Sequence, residues 1–193
     1  MNAAPRGVLV VLAGTSGAGK GTIGAALRAR DPNLTWSVSW TTRGPRAGER
    51  DGVDYHFVSR DDFAREREAG GFLESFEVYG AFYGTPRAPV EEQLAQGRDV
   101  LLEVDVQGAL AVKREMPEAL LVFVRAPSRA EQRRRLEARG TDAPDAIERR
   151  LAQAAEEERL AAREFDAVVV NDDLERAVRE VAGILAVRRS SPG

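Results

Sequence analysis

Residues 7–28 read GVLVVLAGTSGAGKGTIGAALR, and this stretch decides the fold. Its first part is a short apolar run without polar alternation, which predicts a buried β-strand over Val8–Leu12. Its last part predicts a helix that begins near Thr22. Four glycines and Lys20 lie between the two elements. A strand, a glycine-rich loop and a helix N-terminus in this order predict a phosphate-binding loop, in which backbone N–H groups converge on phosphate oxygens.

Lys20 is one of two lysines in the chain, the other being Lys113. Because arginine supplies all the remaining Lys or Arg residues, a lysine kept after the glycines indicates a need for a compact ammonium charge, which reaches the β- and γ-phosphates of a nucleotide. An ordinary glycine-rich turn is the alternative, and the flanking strand and helix disfavour it. The predicted phosphate-binding loop consists of Gly14, Thr15, Ser16, Gly17, Ala18, Gly19, Lys20, Gly21 and Thr22, and it becomes the ATP-binding loop by the family resemblance described below.

Gly21 occupies the position at which most such loops carry Ser or Thr as a Mg²⁺ ligand, and Thr22 follows one residue later. The Gly-Lys-Gly-Thr form resembles the loop of adenylate-kinase-type nucleoside monophosphate kinases. The resemblance implies a Mg²⁺ cofactor with no direct ligand from the loop. Phosphates, waters and a carboxylate would hold the ion, as is common for this strongly hydrated cation.

The composition limits the class of protein. The chain has 193 residues, of which 43% are hydrophobic, so we expect one compact domain with a sizeable core. A net charge of −3 argues against a nucleic-acid partner. Cysteine is absent and His56 is the single histidine, which excludes disulfides and most metal or Ser-His sites. Without a signal peptide or a long apolar run, we expect a cytoplasmic protein with no membrane segment, and no feature indicates an obligate protein partner.

Short apolar runs recur between helical stretches, at Val8–Leu12, Val100–Val104, Leu120–Val124 and Ala167–Val170, with a weaker candidate at Trp36–Trp40. Fully apolar strands that alternate with helices are typical of a parallel sheet covered on both faces. The sequence therefore predicts an α/β fold, with a three-layer core around a mostly five-stranded parallel sheet.

Two segments interrupt this core. Residues 37–87 are rich in Gly, Thr, Tyr and polar residues and predict an inserted lobe. Residues 129–164 predict a helical hairpin, in which Ser128 caps the first helix and Gly140 ends it. This hairpin is either a solvated helix pair with internal ion pairs or a mobile lid that brings arginines onto phosphates. The remaining parts form the predicted core, at residues 1–36, 88–128 and 165–193.

Seven motifs follow one another along the chain: SVSWTTRGPRAGE at 37–49, GVDYHFV at 52–58, FLE at 72–74, YGT at 83–85, LEVDVQG at 102–108, RLEARG at 135–140 and VNDD at 170–173. In this order they resemble the guanylate kinase family over almost the whole chain. The resemblance implies transfer of the γ-phosphoryl group of ATP to GMP, which gives ADP and GDP. In that family, residues 37–87 correspond to a GMP-binding lobe and residues 129–164 to a lid.

The resemblance assigns the GMP phosphate to Arg43, Arg46, Tyr55 and Tyr83. The chemistry fits, because guanidinium groups bind phosphate oxygens bidentately and tyrosine hydroxyls add donors. The alternative for the two arginines is a surface turn in an arginine-rich chain.

Guanine recognition is assigned by the resemblance to Glu74, with help from Ser39, Thr85 and Asp105. A carboxylate accepts hydrogen bonds from both N1–H and the 2-amino group of guanine, whereas adenine lacks this donor pair and would leave the carboxylate badly paired. Thr85 stands where the family commonly has serine, and it retains the hydroxyl.

Glu103 and Asp105 lie two residues apart at the end of a predicted strand, so they project to the same side, at the edge where parallel sheets bind ligands. The resemblance implies that Asp105 contacts the guanine. Two roles stay open for Glu103, which are GMP binding and acceptance of hydrogen bonds from Mg²⁺ water ligands. A strand-end cap is the structural alternative for both residues.

The resemblance implies five catalytic residues that neutralise charge on the phosphates: Lys20, Arg46, Arg135, Arg139 and Arg150. Arg135 and Arg139 are four residues apart, so one helix face carries both. Asn171, after the last predicted strand, is expected near the adenine of ATP.

Two rival functions stay open at this point. One is a kinase for another monophosphate or a sugar phosphate, and Glu74 with Ser39 and Thr85 argues against it. The other is a non-catalytic guanylate-kinase-like domain that binds proteins. The intact phosphate loop and the lack of accompanying interaction modules argue against this second rival.

Overall fold

The computed structural model describes residues 6–78, 80–140 and 143–190, apart from the side chain of Arg139. Within these ranges the chain forms nine strands and seven helices. Numbered along the chain, the strands are β1 (Leu9–Gly14), β2 (Leu34–Trp36), β3 (Trp40–Thr41), β4 (His56–Phe57), β5 (Phe72–Val78), β6 (Ala81–Pro86), β7 (Asp99–Glu103), β8 (Leu120–Arg125) and β9 (Ala167–Val170). The helices are α1 (Lys20–Arg30), α2 (Arg60–Glu68), α3 (Arg87–Ala95), α4 (Val106–Glu115), α5 (Arg129–Arg139), α6 (Pro144–Glu164) and α7 (Leu174–Ser190).

The central sheet has five strands in the order β2-β7-β1-β8-β9, and every pair in it is parallel. Strand β1 lies in the middle, where Val10 is opposite Leu101 on one side and Leu120 on the other. Because all five strands run the same way, the loops after β1, β7 and β9 leave from one edge of the sheet. The predicted five-stranded parallel sheet and the α/β fold class are confirmed.

Helices cover both faces of this sheet. Val10 and Leu12 belong to a buried cluster with residues of α1 and α7. Leu9 and Val11 belong to a second cluster, with residues of α3 and α4. Successive residues of a strand point to opposite faces, so burial on both faces explains why β1 is apolar without alternation.

The predicted strand Trp36–Trp40 is wrong. Trp36 ends β2 in the central sheet, and Trp40 begins β3 in a second sheet with the strand order β4-β3-β6-β5. The two tryptophans are partly buried in different places. Trp36 packs against the cluster that includes α1, whereas the ring of Trp40 meets Phe72 edge-on, with centroids 5.6 Å apart. Because the two tryptophans pack at separate sites, the chain between them does not continue as one strand.

The second sheet lies within residues 37–87 and packs against α2. Phe63 of α2 is buried, and its ring stacks on Phe72 at 4.5 Å and on Phe82 at 5.5 Å between centroids. The helix begins at a capped residue, since the Ser59 side chain accepts a hydrogen bond from the Asp62 N–H. This small aromatic core holds strands β5 and β6 in place.

Helices α5 and α6 form the predicted hairpin. The Ser128 side chain caps α5 by accepting a hydrogen bond from the Glu131 N–H, and Gly140 follows its last turn with φ 64°. Leu136, Ile147 and Leu151 form a small cluster between the two helices. No helix in the described ranges is long and apolar enough to cross a membrane.

Candidate active site

The glycine-rich loop leaves β1 and enters α1, as the sequence predicted. Gly17 and Gly19 have φ values of 84° and 87°, a conformation that residues with a side chain rarely adopt. The Ala18 N–H donates to the carbonyl of Thr15 at 3.1 Å, which closes a turn inside the loop. The loop therefore ends at the N-terminus of α1, where backbone N–H groups and the helix dipole favour an anion.

The ammonium group of Lys20 lies over this loop. Its Nζ donates to the carbonyl of Gly14 at 2.7 Å, and the carbonyl of Thr15 is 3.5 Å away. Lys20 also lines the cavity described next. One positive charge thus lies at the boundary between the loop and the cavity.

A cavity of about 330 Å³ opens beside the loop. Several residues predicted for the site line it: Lys20, Ser39, Tyr55, Thr85, Glu103 and Asp105. Ser37 lines it as well, and no role was predicted for this residue. The Ser37 hydroxyl is buried and has no hydrogen-bond partner among the described residues. Its position two residues before Ser39 is the signal that points to the same wall of the cavity.

Glu103 is the last residue of β7 and Asp105 lies two residues later, but the two have different surroundings. Asp105 is the N-cap of α4, and its Oδ1 accepts a hydrogen bond from the Gly108 N–H at 2.7 Å. Glu103 lies against the phosphate loop, since a Cβ atom placed on Gly21 would be 3.2 Å from its Oε2. Asp105 thus both caps a helix and lines the cavity, while the carboxylate of Glu103 is beside the loop.

Glu74 and Thr85 are opposite each other on β5 and β6. The Thr85 hydroxyl donates to Oε1 of Glu74 at 2.6 Å, and both side chains are buried. Burial raises the pKa of Glu74 to about 7, and the negative charge of Asp105 adds to this rise. The carboxyl group therefore titrates near neutral pH, next to a cavity wall formed in part by Thr85.

Arg43 is held by a carboxylate that was not predicted as a site residue, that of Glu49. Nη1 and Nη2 of Arg43 donate to the two oxygens of Glu49 at 2.8 and 2.9 Å. Glu49 Oε2 also accepts the backbone N–H of Arg46 at 2.7 Å. These hydrogen bonds, those from Arg43 above all, lower the pKa of Glu49 to about 2. The spacing of three residues between Arg46 and Glu49, across a turn, is the signal in the sequence for this contact.

Arg43, Tyr55 and Tyr83, three of the residues predicted to bind the GMP phosphate, lie together in one group. Arg43 Nε donates to the Tyr83 hydroxyl at 3.2 Å, and its guanidinium carbon lies 5.3 Å from the centre of the Tyr55 ring. The rings of Tyr55 and Tyr83 meet edge-on at 5.9 Å, and burial raises the pKa of Tyr55. Arg46 joins the group through its backbone N–H, and this residue is exposed.

Of the predicted hairpin arginines, one contacts the phosphate loop and another contacts Asn171, which lies next to the loop. Arg150 Nη1 donates to the Ser16 hydroxyl at 2.7 Å. Arg135 Nη2 donates to the backbone carbonyl of Asn171 at 2.9 Å, and Arg135 Nε donates to Glu131. The prediction for Arg139 concerns a side chain outside the described part of the structure. The hairpin therefore lies close to the phosphate loop through at least these two arginines.

Asn171 follows β9 and lies against the same loop. It is buried, and its side-chain N–H donates to the carbonyl of Ala18 at 2.7 Å. A Cβ atom placed on Gly19 would be 2.5 Å from the same nitrogen, so the residue at 19 must be glycine for Asn171 to approach. The loop is thus contacted from β9 as well as from the hairpin.

Comparisons with known proteins point to one family. A family model described as guanylate kinase matches residues 6–188. The guanylate kinase of Symbiobacterium thermophilum is 50% identical over 186 residues, which cover 96% of this chain and 88% of the relative. That of Thermus thermophilus is 53% identical over 188 residues, which cover 97% of this chain and 84% of the relative.

A solved structure points the same way. The crystal structure of guanylate kinase from Anaplasma phagocytophilum has a TM-score of 0.77 and 34% identity, with 97% of this chain and 88% of that chain covered. The match thus includes the phosphate loop, the second sheet and the helical hairpin. The chain belongs to the guanylate kinase family and is a kinase.

Proposed function

We propose that the residues of this site carry out the reaction of the guanylate kinase family, in which the γ-phosphoryl group of ATP passes to GMP and gives ADP and GDP. The observation that carries the proposal is the cavity, which has Lys20 of the phosphate loop on one wall and Thr85, the partner of Glu74, on another. A nucleoside monophosphate in this cavity would lie next to the phosphates of ATP bound at the loop.

The loop at residues 14–22 would bind the β- and γ-phosphates of ATP through backbone N–H groups and Lys20. Lys20 already has its ammonium over the loop, which supports this role. Arg135, Arg139 and Arg150 would neutralise the charge that develops between the two nucleotides. The contact of Arg150 with Ser16 supports the view that the hairpin acts as a lid on the phosphates. Asn171 would lie near the adenine.

The group of Arg43, Arg46, Tyr55 and Tyr83 would bind the GMP phosphate. Its fixed donors support this, because a preorganised cationic site loses little freedom when an anion binds. Glu103 would face the GMP phosphate or the water ligands of the metal ion. Its position beside Gly21 favours the second role.

Guanine would be read mainly by Glu74. The ionised carboxylate accepts hydrogen bonds from N1–H and from the 2-amino group, and Ser39, Thr85 and Asp105 would contact the remaining edge. The burial of Glu74 supports this role, because a buried carboxylate without its two donors is strongly disfavoured and AMP cannot provide them.

Phosphoryl transfer here would need no general base, because the attacking group is already a phosphate anion. The chain's task is to align the two nucleotides and to neutralise charge. Closure of the hairpin would exclude water and so suppress transfer of the phosphoryl group to water.

Phosphate transfer in this family generally uses a divalent metal ion, and we propose Mg²⁺. No group of three or more His, Cys, Asp or Glu side chains within the described residues is suited to hold a metal. A single carboxylate beside the loop fits an ion that keeps most of its waters and takes oxygen ligands from phosphates, and Glu103 is in that position. The ion would shield the phosphate charges during transfer.

The three-part division of the chain is also a proposal. The core would comprise residues 1–36, 88–128 and 165–193, with a GMP-binding lobe at about 37–87 and a lid at about 129–164. The second sheet and the α5–α6 hairpin support these limits. We propose the cytoplasm as the location, since ATP and GMP are the substrates.

The test of the proposed function is a substrate panel combined with Glu74→Gln. Coupled ADP release should be fast with GMP and slow with AMP, CMP and dTMP at equal concentration. Glu74→Gln should lower kcat/KM for GMP by roughly 10- to 100-fold, because an amide accepts two donors poorly. Glu77→Gln, on the exposed end of the same strand, is the matched control. An unchanged preference for GMP over AMP in Glu74→Gln would contradict the assignment.

The pH dependence gives an independent check of Glu74. With a pKa of about 7 before GMP binds, protonation below neutral pH removes acceptor capacity, so GMP affinity should fall as the pH falls. The GMP phosphate titrates in the same range, and Glu74→Gln retains only that part of the dependence. A GMP affinity that rises toward acid pH would contradict the proposed role of the carboxylate.

A further inference from the structure

Two carbonyl groups of the phosphate loop are each bound by a buried side-chain amide from another part of the chain. Gln132, in the first turns of α5, donates its Nε2–H to the carbonyl of Ser16 at 2.9 Å. Asn171, after β9, donates its Nδ2–H to the carbonyl of Ala18 at 2.7 Å. One glutamine and one asparagine side chain thus hold alternate peptide groups of the loop.

The orientation of a carbonyl fixes the N–H of the same peptide group. In a trans peptide the C=O and the N–H point in opposite directions. The Ser16 carbonyl, drawn toward Gln132, therefore directs the Gly17 N–H to the opposite side of the loop. The Ala18 carbonyl, drawn toward Asn171, does the same for the Gly19 N–H.

Glycine makes this external control necessary. Gly17 and Gly19 have φ values of 84° and 87°, and glycine adopts positive and negative φ with similar ease. A rotated peptide group would present a carbonyl oxygen to the phosphates in place of an N–H. The loop sequence alone does not select between the two orientations of the peptide group. A hydrogen-bond donor fixed elsewhere in the fold therefore selects the orientation.

We propose that Gln132 is a positioning residue for ATP, which acts with Asn171 to hold the loop N–H groups toward the phosphates. Gln132 lies on the predicted lid, and this part of the lid packs closely against the phosphate loop. Leu136 is fully buried, and a Cβ atom placed on Gly17 would be 3.3 Å from its Cγ. Arg150, on the second helix of the hairpin, bonds to the Ser16 hydroxyl.

The chemistry of position 132 supports a directed role over simple filling of space. Gln132 has only 2% of its surface exposed and lies beside Leu136. A buried amide is unfavourable unless it is hydrogen-bonded, and an apolar residue of similar size would fill the same volume without that penalty. What the glutamine adds is a donor aimed at one loop carbonyl.

The inference rests on the proposed function of residues 14–22 as the ATP-binding loop. Its test compares wild type with Gln132→Met and Gln132→Leu, which keep an apolar volume and remove the donor. KM for ATP should rise by about tenfold, which corresponds to the loss of one hydrogen bond. KM for GMP should change by less than about twofold, and Tm should not fall by more than a few degrees. Gln96→Met, at an exposed glutamine on the far end of α3, should leave all three values unchanged.

Two results would overturn the inference. The first is an unchanged KM for ATP in both apolar variants. The second is an equal rise of both KM values together with a fall in Tm, because a purely structural role would affect the two substrates alike. Lys20→Ala, measured in parallel, distinguishes a failure of the loop assignment from a failure of the role given to Gln132. If it leaves both ATP binding and kcat at wild-type levels, the loop assignment fails and the inference with it. If it abolishes use of ATP while both Gln132 variants behave as wild type, the inference alone fails.

Discussion

The two proposed phosphate sites of this chain are built in opposite ways. The loop at residues 14–22 offers backbone N–H groups, and its partners come from distant parts of the chain, as in the contacts of Ser16 with Gln132 and of Ala18 with Asn171. The site around Arg43 offers side chains, and its main partner is Glu49, six residues away. The loop is held by contacts from distant parts of the fold, whereas the Arg43 site is ordered mainly by a carboxylate of its own segment, with the Tyr83 hydroxyl as a more distant partner.

The difference has a physical origin. The direction of a backbone N–H depends on φ and ψ, which glycine leaves permissive, so contacts with the rest of the fold help to fix the N–H groups of this glycine-rich loop. A guanidinium group has a flexible stem, which one bidentate carboxylate can hold without help from elsewhere. Changes around the loop are therefore expected to affect ATP through the fold, whereas changes at residues 43–49 should affect GMP locally.

The largest expected effect belongs to the loop. Lys20→Ala should lower kcat by roughly 1,000-fold, because it removes a fixed positive charge from the transferred phosphoryl group. GMP binding, measured by calorimetry, should be largely retained. Lys113→Ala is the matched control, since Lys113 is the other lysine and bonds to the Ala119 carbonyl on another part of the fold. Loss of GMP affinity with ATP binding preserved would show that the two sites are assigned in reverse.

An intermediate effect is expected at Glu49. Glu49→Gln should raise KM for GMP by roughly three- to tenfold and leave KM for ATP unchanged, because an amide cannot hold both N–H groups of Arg43 and the Arg46 N–H. Glu68→Gln, at an exposed position of α2, is the control. Steady-state kinetics with each substrate varied in turn gives the measurement. Tighter GMP binding in Glu49→Gln would mean that Glu49 competes with the phosphate and does not order its site.

The smallest effect concerns Gly21. A Cβ atom there would lie 3.2 Å from Oε2 of Glu103, at the end of a flexible side chain that can shift, and serine is tolerated at a helix N-terminus. Gly21→Ser should retain activity within about threefold and lower the Mg²⁺ concentration for half-maximal rate, because its hydroxyl adds an oxygen ligand. Gly21→Ala separates the hydroxyl from the added volume. A loss of ATP affinity in both variants at every Mg²⁺ level would contradict this account of the loop.

The sequence predicted well those features that depend on local patterns. Strand β9 has the predicted bounds, Ser128 caps its helix, and the strand-loop-helix order around Lys20 is confirmed. In each case a short stretch of residues determines the structure. The family and the fold class were also predicted from the sequence, because the quoted motifs span almost the whole chain.

Features that depend on packing were not predictable in this way. Gln132 lies on a strongly charged helix with five arginines and two glutamates, and no spacing rule distinguishes it from a solvent-exposed residue. Its burial follows from the way α5 meets the loop. The error at Trp36–Trp40 has the same cause, since only the assembled structure separates the burial sites of the two tryptophans. The roles of the individual site residues, Arg139 among them, stay predictions.

The buried pair of Glu74 and Thr85 has a consequence for proton balance. Since the pKa of Glu74 is about 7, part of the free enzyme carries a proton on this group at neutral pH. Guanine is proposed to bind the ionised form, so each GMP that binds would displace a fraction of a proton into the solvent. The heat of GMP binding would then include the ionisation heat of the buffer. The free energy needed to deprotonate Glu74 would also enter the affinity of the enzyme for its acceptor nucleotide.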